Sequence, residues 1–131
     1  MDNGRKVSCS CGGGNTPLLY SCSGASDVGE IADRVTRKLR QDKVGKMTCL
    51  SAIGIGLSGF VESAKGSCIN ITIDGCPIAC AKKALENIGV TPTSYILTDM
   101  GLKKGDSPVT DEVILEMSNK IKELQLNQVA C

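Results

Sequence analysis

A chain of 131 residues is long enough for one compact domain with a real hydrophobic core but hardly for two. Its 15 Lys and Arg nearly balance 14 Asp and Glu, and the net charge of +1 argues against a protein drawn to nucleic acid or acidic lipid by bulk charge. Aromatics make up only 2% and Trp is absent, so the stacking platforms used to hold single-stranded nucleic acid are missing as well.

No stretch approaches the roughly 20 continuous apolar residues of a membrane span, and the opening MDNGRKVSCSCGGGN lacks the apolar core of a secretory signal. The sequence therefore predicts a cytoplasmic protein with no membrane or nucleic-acid partner. Reducing compartments disfavour structural disulfides, so eight cysteines point there to metal or thiol chemistry. With no His in the chain, a soft-metal site has to be built from thiolates, helped at most by a carboxylate or water.

Residues 1 to about 16 carry Cys9, Cys11 and the run Gly12, Gly13, Gly14, Asn15 without apolar periodicity, which predicts a flexible arm ahead of a single domain over 17–131. Leu18 to Tyr20 reads as a strand, and SCSGAS as the loop that follows it. Val28, Ile31, Ala32, Val35 and Leu39 recur at helical spacing in DVGEIADRVTRKLRQD. Ser26 or Asp27 can cap that helix, with Glu30 as the capping-box partner of Asp27. Lys46 to Leu50 is expected as a short strand, followed by a glycine-rich turn and a short helix over about Ser58 to Lys65. The β-branched run CINITI, Cys68 to Ile73, predicts a buried strand, with Cys68 as core filling. Pro77 to Ile88 reads as a helix with Pro in its first turn and Gly89 as its stop. TSYILTD, 93–99, predicts another strand. Thr110 caps a final helix with an apolar stripe of Val113, Met117, Ile121 and Leu124.

Strands alternating with helices imply an α/β fold, a single small domain of about four mostly parallel strands flanked by helices. The working crevice of such a sheet lies beyond the carboxyl ends of its strands. Cys22 follows the first strand, Cys49 lies at the end of the second, and Cys76 follows the third after Asp74 and Gly75. Cys80 joins Cys76 because residues i and i+4 stand one above the other on a helix face. These four thiols, Cys22, Cys49, Cys76 and Cys80, match the count of a closed tetrahedral zinc site at the carboxyl edge of the sheet. A thiolate near a helix start is also favoured by the helix dipole.

SCSGAS at 21–26, MTCL around Cys49, IDGCPIACAKKALE at 73–86 and LTDMGLKK at 97–104 resemble the DGC family of small zinc-binding proteins, named for its Asp-Gly-Cys triplet. The resemblance runs over about residues 17 to 105, and its cysteines fall on Cys22, Cys49, Cys76 and Cys80. It implies zinc as the cofactor and says little about its purpose, while Cys9, Cys11, Cys68 and Cys131 lie outside its pattern; the reading adopted is a zinc-binding protein with a structural, carrier or sensing role.

Two other chemistries fit the same thiols. One is a redox or sulfur-transfer enzyme with Cys76 as nucleophile and Cys80 or Cys22 resolving; the other is an iron–sulfur cluster on four thiolates. Around the cysteines, Asp74, Gly75 and Asp99 are candidate second-layer acceptors or turn residues, and Ser23, Gly24 and Ser26 form a loop able to present N–H groups to an anion. Lys103 and Lys104 read as solvated, yet near enough to a strand end to approach an anionic ligand. GIGLSG, with Gly54, Gly56 and Gly59, matches a dinucleotide fingerprint in letters but lacks the surrounding βαβ spacing, so it is expected to be a loop over the metal site.

Overall fold

The computed structural model describes residues 16–127. Strands β1 (Leu18–Ser21), β2 (Lys46–Met47), β3 (Asn70–Asp74) and β4 (Thr93–Ile96) form one sheet in the order β2-β1-β3-β4, every neighbouring pair parallel. Parallel neighbours need crossovers. Helices α1 (Asp27–Gln41), α2 (Leu50–Gly54), α3 (Ser58–Gly66) and α4 (Cys80–Asn87) lie in those crossovers, and α5 (Asp111–Leu126) follows the sheet.

Alternation along the strands sends side chains to two separate cores. Leu19, Ile71, Ile73 and Tyr95 pack with Ile31, Val35 and Leu39 of α1 and with Ile114, Met117 and Ile121 of α5. On the other face Tyr20 meets Ile53, Ala64, Ala81 and Leu85 from α2, α3 and α4. The result is the small α/β domain expected from the sequence, with helices on both sides of a parallel sheet. Among the described residues no helix is long and apolar enough to cross a membrane.

Helix α1 shows how the local signals work. Ser26 Oγ accepts from Gly29 N at 3.0 Å, which makes Ser26 the cap, and Glu30 pairs with Arg34 at 2.9 Å instead of closing a box. Val28, Ile31, Ala32, Val35 and Leu39 are all fully buried, each large one contributing on the order of 2 kcal/mol.

Element ends depart from the sequence reading in five places. The second strand stops at Met47; Thr48 N still bonds to Leu19 O at 2.9 Å, but Cys49 then caps α2, so residues read as a glycine-rich turn are partly helical. The third strand begins at Asn70, because Ser67 Oγ donates to Ile69 O and bends the chain. Cys68 sits in that bend and is exposed, so it is not core filling. The fourth strand ends at Ile96 and gives way to a 3-10 turn, Leu97–Met100. The last helix buries Ile114, Met117 and Ile121, leaving Val113 half-buried and Leu124 exposed.

The fifth departure touches the chemistry. Helix α4 starts at Cys80 and not at Pro77. Ala79 N bonds to Cys76 O at 3.0 Å and Ala79 adopts φ 55°, so residues 76–79 form a turn and Cys76 is not on the helix at all. Residues 1–15 of the predicted arm, with Cys9 and Cys11, and the terminal Cys131 lie outside the described residues.

Candidate thiol cleft

The carboxyl edge of the sheet is closed by one close backbone approach and by a buried carboxylate. Beyond β3, Gly75 lies so near the start of α1 that a Cβ would sit 2.5 Å from Val28 O. Only glycine allows this. The approach also brings Gly75 N within 3.1 Å of Cys22 Sγ, which accepts its hydrogen bond from the end of β1. Asp74, 1% exposed, turns its carboxylate toward α4: Oδ1 accepts from Ala81 N at 2.8 Å and Oδ2 from Lys82 N at 3.1 Å. A residue of the preceding strand thus caps a helix whose own cap residue, Ala79, has no side-chain acceptor.

Between these elements lies a cleft of about 480 Å³. Cys22, Cys76 and Cys80 line it, together with Ser23, Gly24, Ser26, Asp74 and Gly75. Cys22 is nearly buried, Cys76 half-exposed and Cys80 exposed. Burial pushes the Cys22 thiol up to about 11; the Gly75 N–H opposes this, and Asp74, Cys80 and Cys76 add to it. Asp74 is raised by burial too, against the helix amides and the Cys22 thiol that hold its charge. At neutral pH Cys22 is a protonated thiol in metal-free protein.

Cys49 does not line the cleft. It is exposed at the start of α2, and α2 packs against α4, both helices starting from the carboxyl edge of the sheet. Asp99 lies exposed in the 3-10 turn and also stays out of the cleft. Nor do Gly54, Gly56 and Gly59 cover it: a Cβ at any of them would meet nothing within 4 Å. At the start of α1, Val28 N bonds to Asp27 Oδ1 at 2.8 Å, Gly29 N to Ser26 Oγ at 3.0 Å and Glu30 N to Ser26 O at 3.0 Å. An anion at the loop of Ser23, Gly24 and Ser26 would therefore find those helix amides already occupied.

The sequence reading missed what covers the cleft. Asp27 reaches the segment after β4, its Oδ1 accepting from Gly105 N and its Oδ2 from Ser107 N, both at 2.9 Å. Those bonds hold the Asp27 carboxyl below the usual carboxylate range. Ser107 Oγ closes the turn, donating to Lys103 O at 2.7 Å and accepting from Lys103 N at 2.8 Å. Lys104 inside that turn lines the cleft and brings its Nζ 3.7 Å from Cys76 Sγ. A lysine beside a family motif was visible in the sequence; the carboxylate that anchors its turn, 78 residues away, was not.

As donors, three thiols on one cleft suit a soft ion in kind. Both Asp74 oxygens are committed to α4, which leaves the thiols as the ligand candidates. In spacing they do not form a ready site: among the described residues no three Cys, Asp or Glu groups are placed to hold one metal ion.

Fold and site together define a small parallel α/β domain with a thiol-lined cleft at its carboxyl edge. The DGC domain model matches residues 18–121, and the chain belongs to the DGC family. It is also 34% identical, over 89 residues, to the anaerobic and virulence modulator AnvM of Pseudomonas aeruginosa, covering 67% of this chain and 68% of that protein. No solved structure matches.

Proposed function

We propose that this protein is a metal-binding module that holds one zinc ion through Cys22, Cys76 and Cys80, with Cys49 as a fourth ligand from the start of α2. The observation that carries this reading is the meeting of three thiols, from the end of β1, the turn after β3 and the start of α4, on a single cleft. Metal binding commonly couples to folding, so thiols that do not stand at ligand spacing are compatible with it. A full thiolate shell leaves no open position for catalysis, which favours a structural, carrier or sensing role over an enzymatic one. The name of the Pseudomonas aeruginosa relative, a modulator, points the same way.

The test is the metal content of anaerobically purified protein by mass spectrometry, for the parent and for Cys76→Ser with Cys80→Ser. About one zinc per chain in the parent, lost in the double variant, is expected. No metal in either overturns the reading, and iron in place of zinc assigns the thiols to a cluster.

Thiol redox or sulfur transfer at Cys76 is the second reading, favoured by the ammonium of Lys104 beside its sulfur. Here Cys22 or Cys80 resolves. Mass-spectrometric mapping of disulfides after mild oxidation and re-reduction tests it; no reversible bond between these residues sinks it.

A further inference from the structure

The sulfur of Cys76 and the side-chain nitrogen of Lys104 stand 3.7 Å apart on the thiol cleft, although 28 residues separate them in the chain. Each sits in a turn that the fold holds in place. The turn of Cys76 is closed by the bond from Ala79 N to Cys76 O, and Gly75 before it is packed so closely on the start of α1 that no side chain fits there. The turn of Lys104 is closed by Ser107 Oγ, which bonds both backbone groups of Lys103, and is tied to α1 by Asp27 through Gly105 N and Ser107 N. Both turns are therefore referred to the same helix end, which keeps sulfur and nitrogen together.

Cys76 is half-buried and Lys104 exposed, so a small oxidant reaches the sulfur without opening the fold. The other thiols of the cleft are less well placed to answer it. Cys22 is 9% exposed and its sulfur takes the Gly75 N–H, while Cys80 lies beyond the left-handed Ala79 at the start of α4. Among the described residues the one hydrogen-bond partner of Cys76 Sγ is Lys104 Nζ. A cysteine oxidised to its sulfenic acid is electrophilic at sulfur and condenses with a thiol or a nitrogen held beside it.

We propose that Cys76 and Lys104 are a reversible redox pair: a peroxide oxidises Cys76, and the Lys104 amine captures the product in a sulfur–nitrogen bond. In the first step the sulfur attacks a peroxide oxygen, the O–O bond breaks, and the leaving oxygen takes a proton and departs as water, or as an alcohol from an organic peroxide. In the second the neutral amine attacks the same sulfur, the S–N bond forms as the S–O bond breaks, and hydroxide leaves as water with a proton from the amine. One peroxide is reduced, and the protein is left two hydrogens lighter. A small thiol reverses the bond, first by displacing the amine to form a mixed disulfide and then by displacing Cys76 from it. While it lasts, the bond ties the segment after β4 to the turn after β3 and keeps the sulfur from further oxidation. Asp27 is the positioning residue. This inference shares with the redox reading above that Cys76 is the thiol oxidised; the capturing group is an amine instead of Cys22 or Cys80, and no metal ion takes part.

The experiment treats full-length protein, reduced and cleared of metal by a chelator, with hydrogen peroxide and maps the products by mass spectrometry of protease digests. The expected product joins the peptides of Cys76 and Lys104, with a mass two hydrogens below their sum, and comes apart on re-reduction with a thiol. Lys104→Arg keeps the positive charge but offers no free amine, because a guanidinium stays protonated. In that variant the cross-link is lost while a dimedone trap for sulfenic acid still labels Cys76, which separates capture from any effect of the charge on the sulfur. Asp27→Asn should lower the yield of cross-link and quicken hydrogen exchange at the Gly105 and Ser107 amides. If Asp27→Asn does not fold, Ser107→Ala loosens the same turn from the other side. Quickened exchange with an unchanged yield overturns the positioning role. Cys76 recovered in a disulfide with Cys22 or Cys80, and never joined to Lys104, overturns the inference and leaves the redox reading standing. Cys76 recovered unoxidised overturns both.

Discussion

At Gly75 a methyl group would lie 2.5 Å from Val28 O and 2.8 Å from Gly29 N, both backbone atoms of α1. Neither can turn aside as a flexible side chain would. Gly75→Ala must push the turn after β3 away from α1, breaking the hydrogen bond from Gly75 N to Cys22 Sγ at the same time. We expect a loss of about 2–4 kcal/mol in urea unfolding, with Cys22 becoming reactive toward alkylating reagents. The glycine of the Asp-Gly-Cys triplet is thus explained by packing, independently of any metal. The triplet was conspicuous in the sequence, but the reason for its middle residue was not, because the clash involves a helix more than 40 residues earlier in the chain.

Helix α4 is short, and its start depends on another element. With Ala79 in a left-handed conformation and offering no side-chain acceptor, the amides of Ala81 and Lys82 are satisfied by Asp74 alone. Asp74→Asn keeps the shape but replaces one acceptor oxygen with a donor. It should cost about 1–2 kcal/mol and speed hydrogen exchange at Ala81 and Lys82 before other amides of α4. Unchanged exchange at both amides would show that the cap is dispensable. Sequence reading placed this helix but began it at Pro77, since Pro in a first turn is the usual signal. A cap supplied by the preceding strand carries no local signature, so the turn at 76–79 and the position of Cys76 ahead of the helix stayed hidden.

For the whole molecule, groups shifted in opposite directions shape stability against pH, Cys22 and Asp27 among them. The folded Cys22 pKa is raised from 9.0 to about 11, so its contribution is fully present below pH 9 and is lost as pH rises between 9 and 11. Asp27 is lowered by the Gly105 and Ser107 amides, so its contribution is present above the usual carboxylate range and is lost as pH falls through the lowered value. Melting temperatures of metal-free protein across pH 2 to 11 should show both slopes. Cys22→Ala should flatten the alkaline one and Asp27→Asn the acid one; a variant whose curve runs parallel to the parent's would remove that group from the account.

Periodicity and turn chemistry were enough to read four strands, their parallel alternation with helices, and a group of cysteines at the carboxyl edge, because each of these depends on residues close together in the chain. Folding alone put Cys22, Cys76 and Cys80 on one cleft, left Cys49 and Asp99 outside it, and set Lys104 over Cys76. Those outcomes rest on contacts between distant segments, Gly75 against Val28 and Asp27 against Gly105 and Ser107, whose geometry follows from sheet order and helix packing and leaves no periodic trace in the residues themselves.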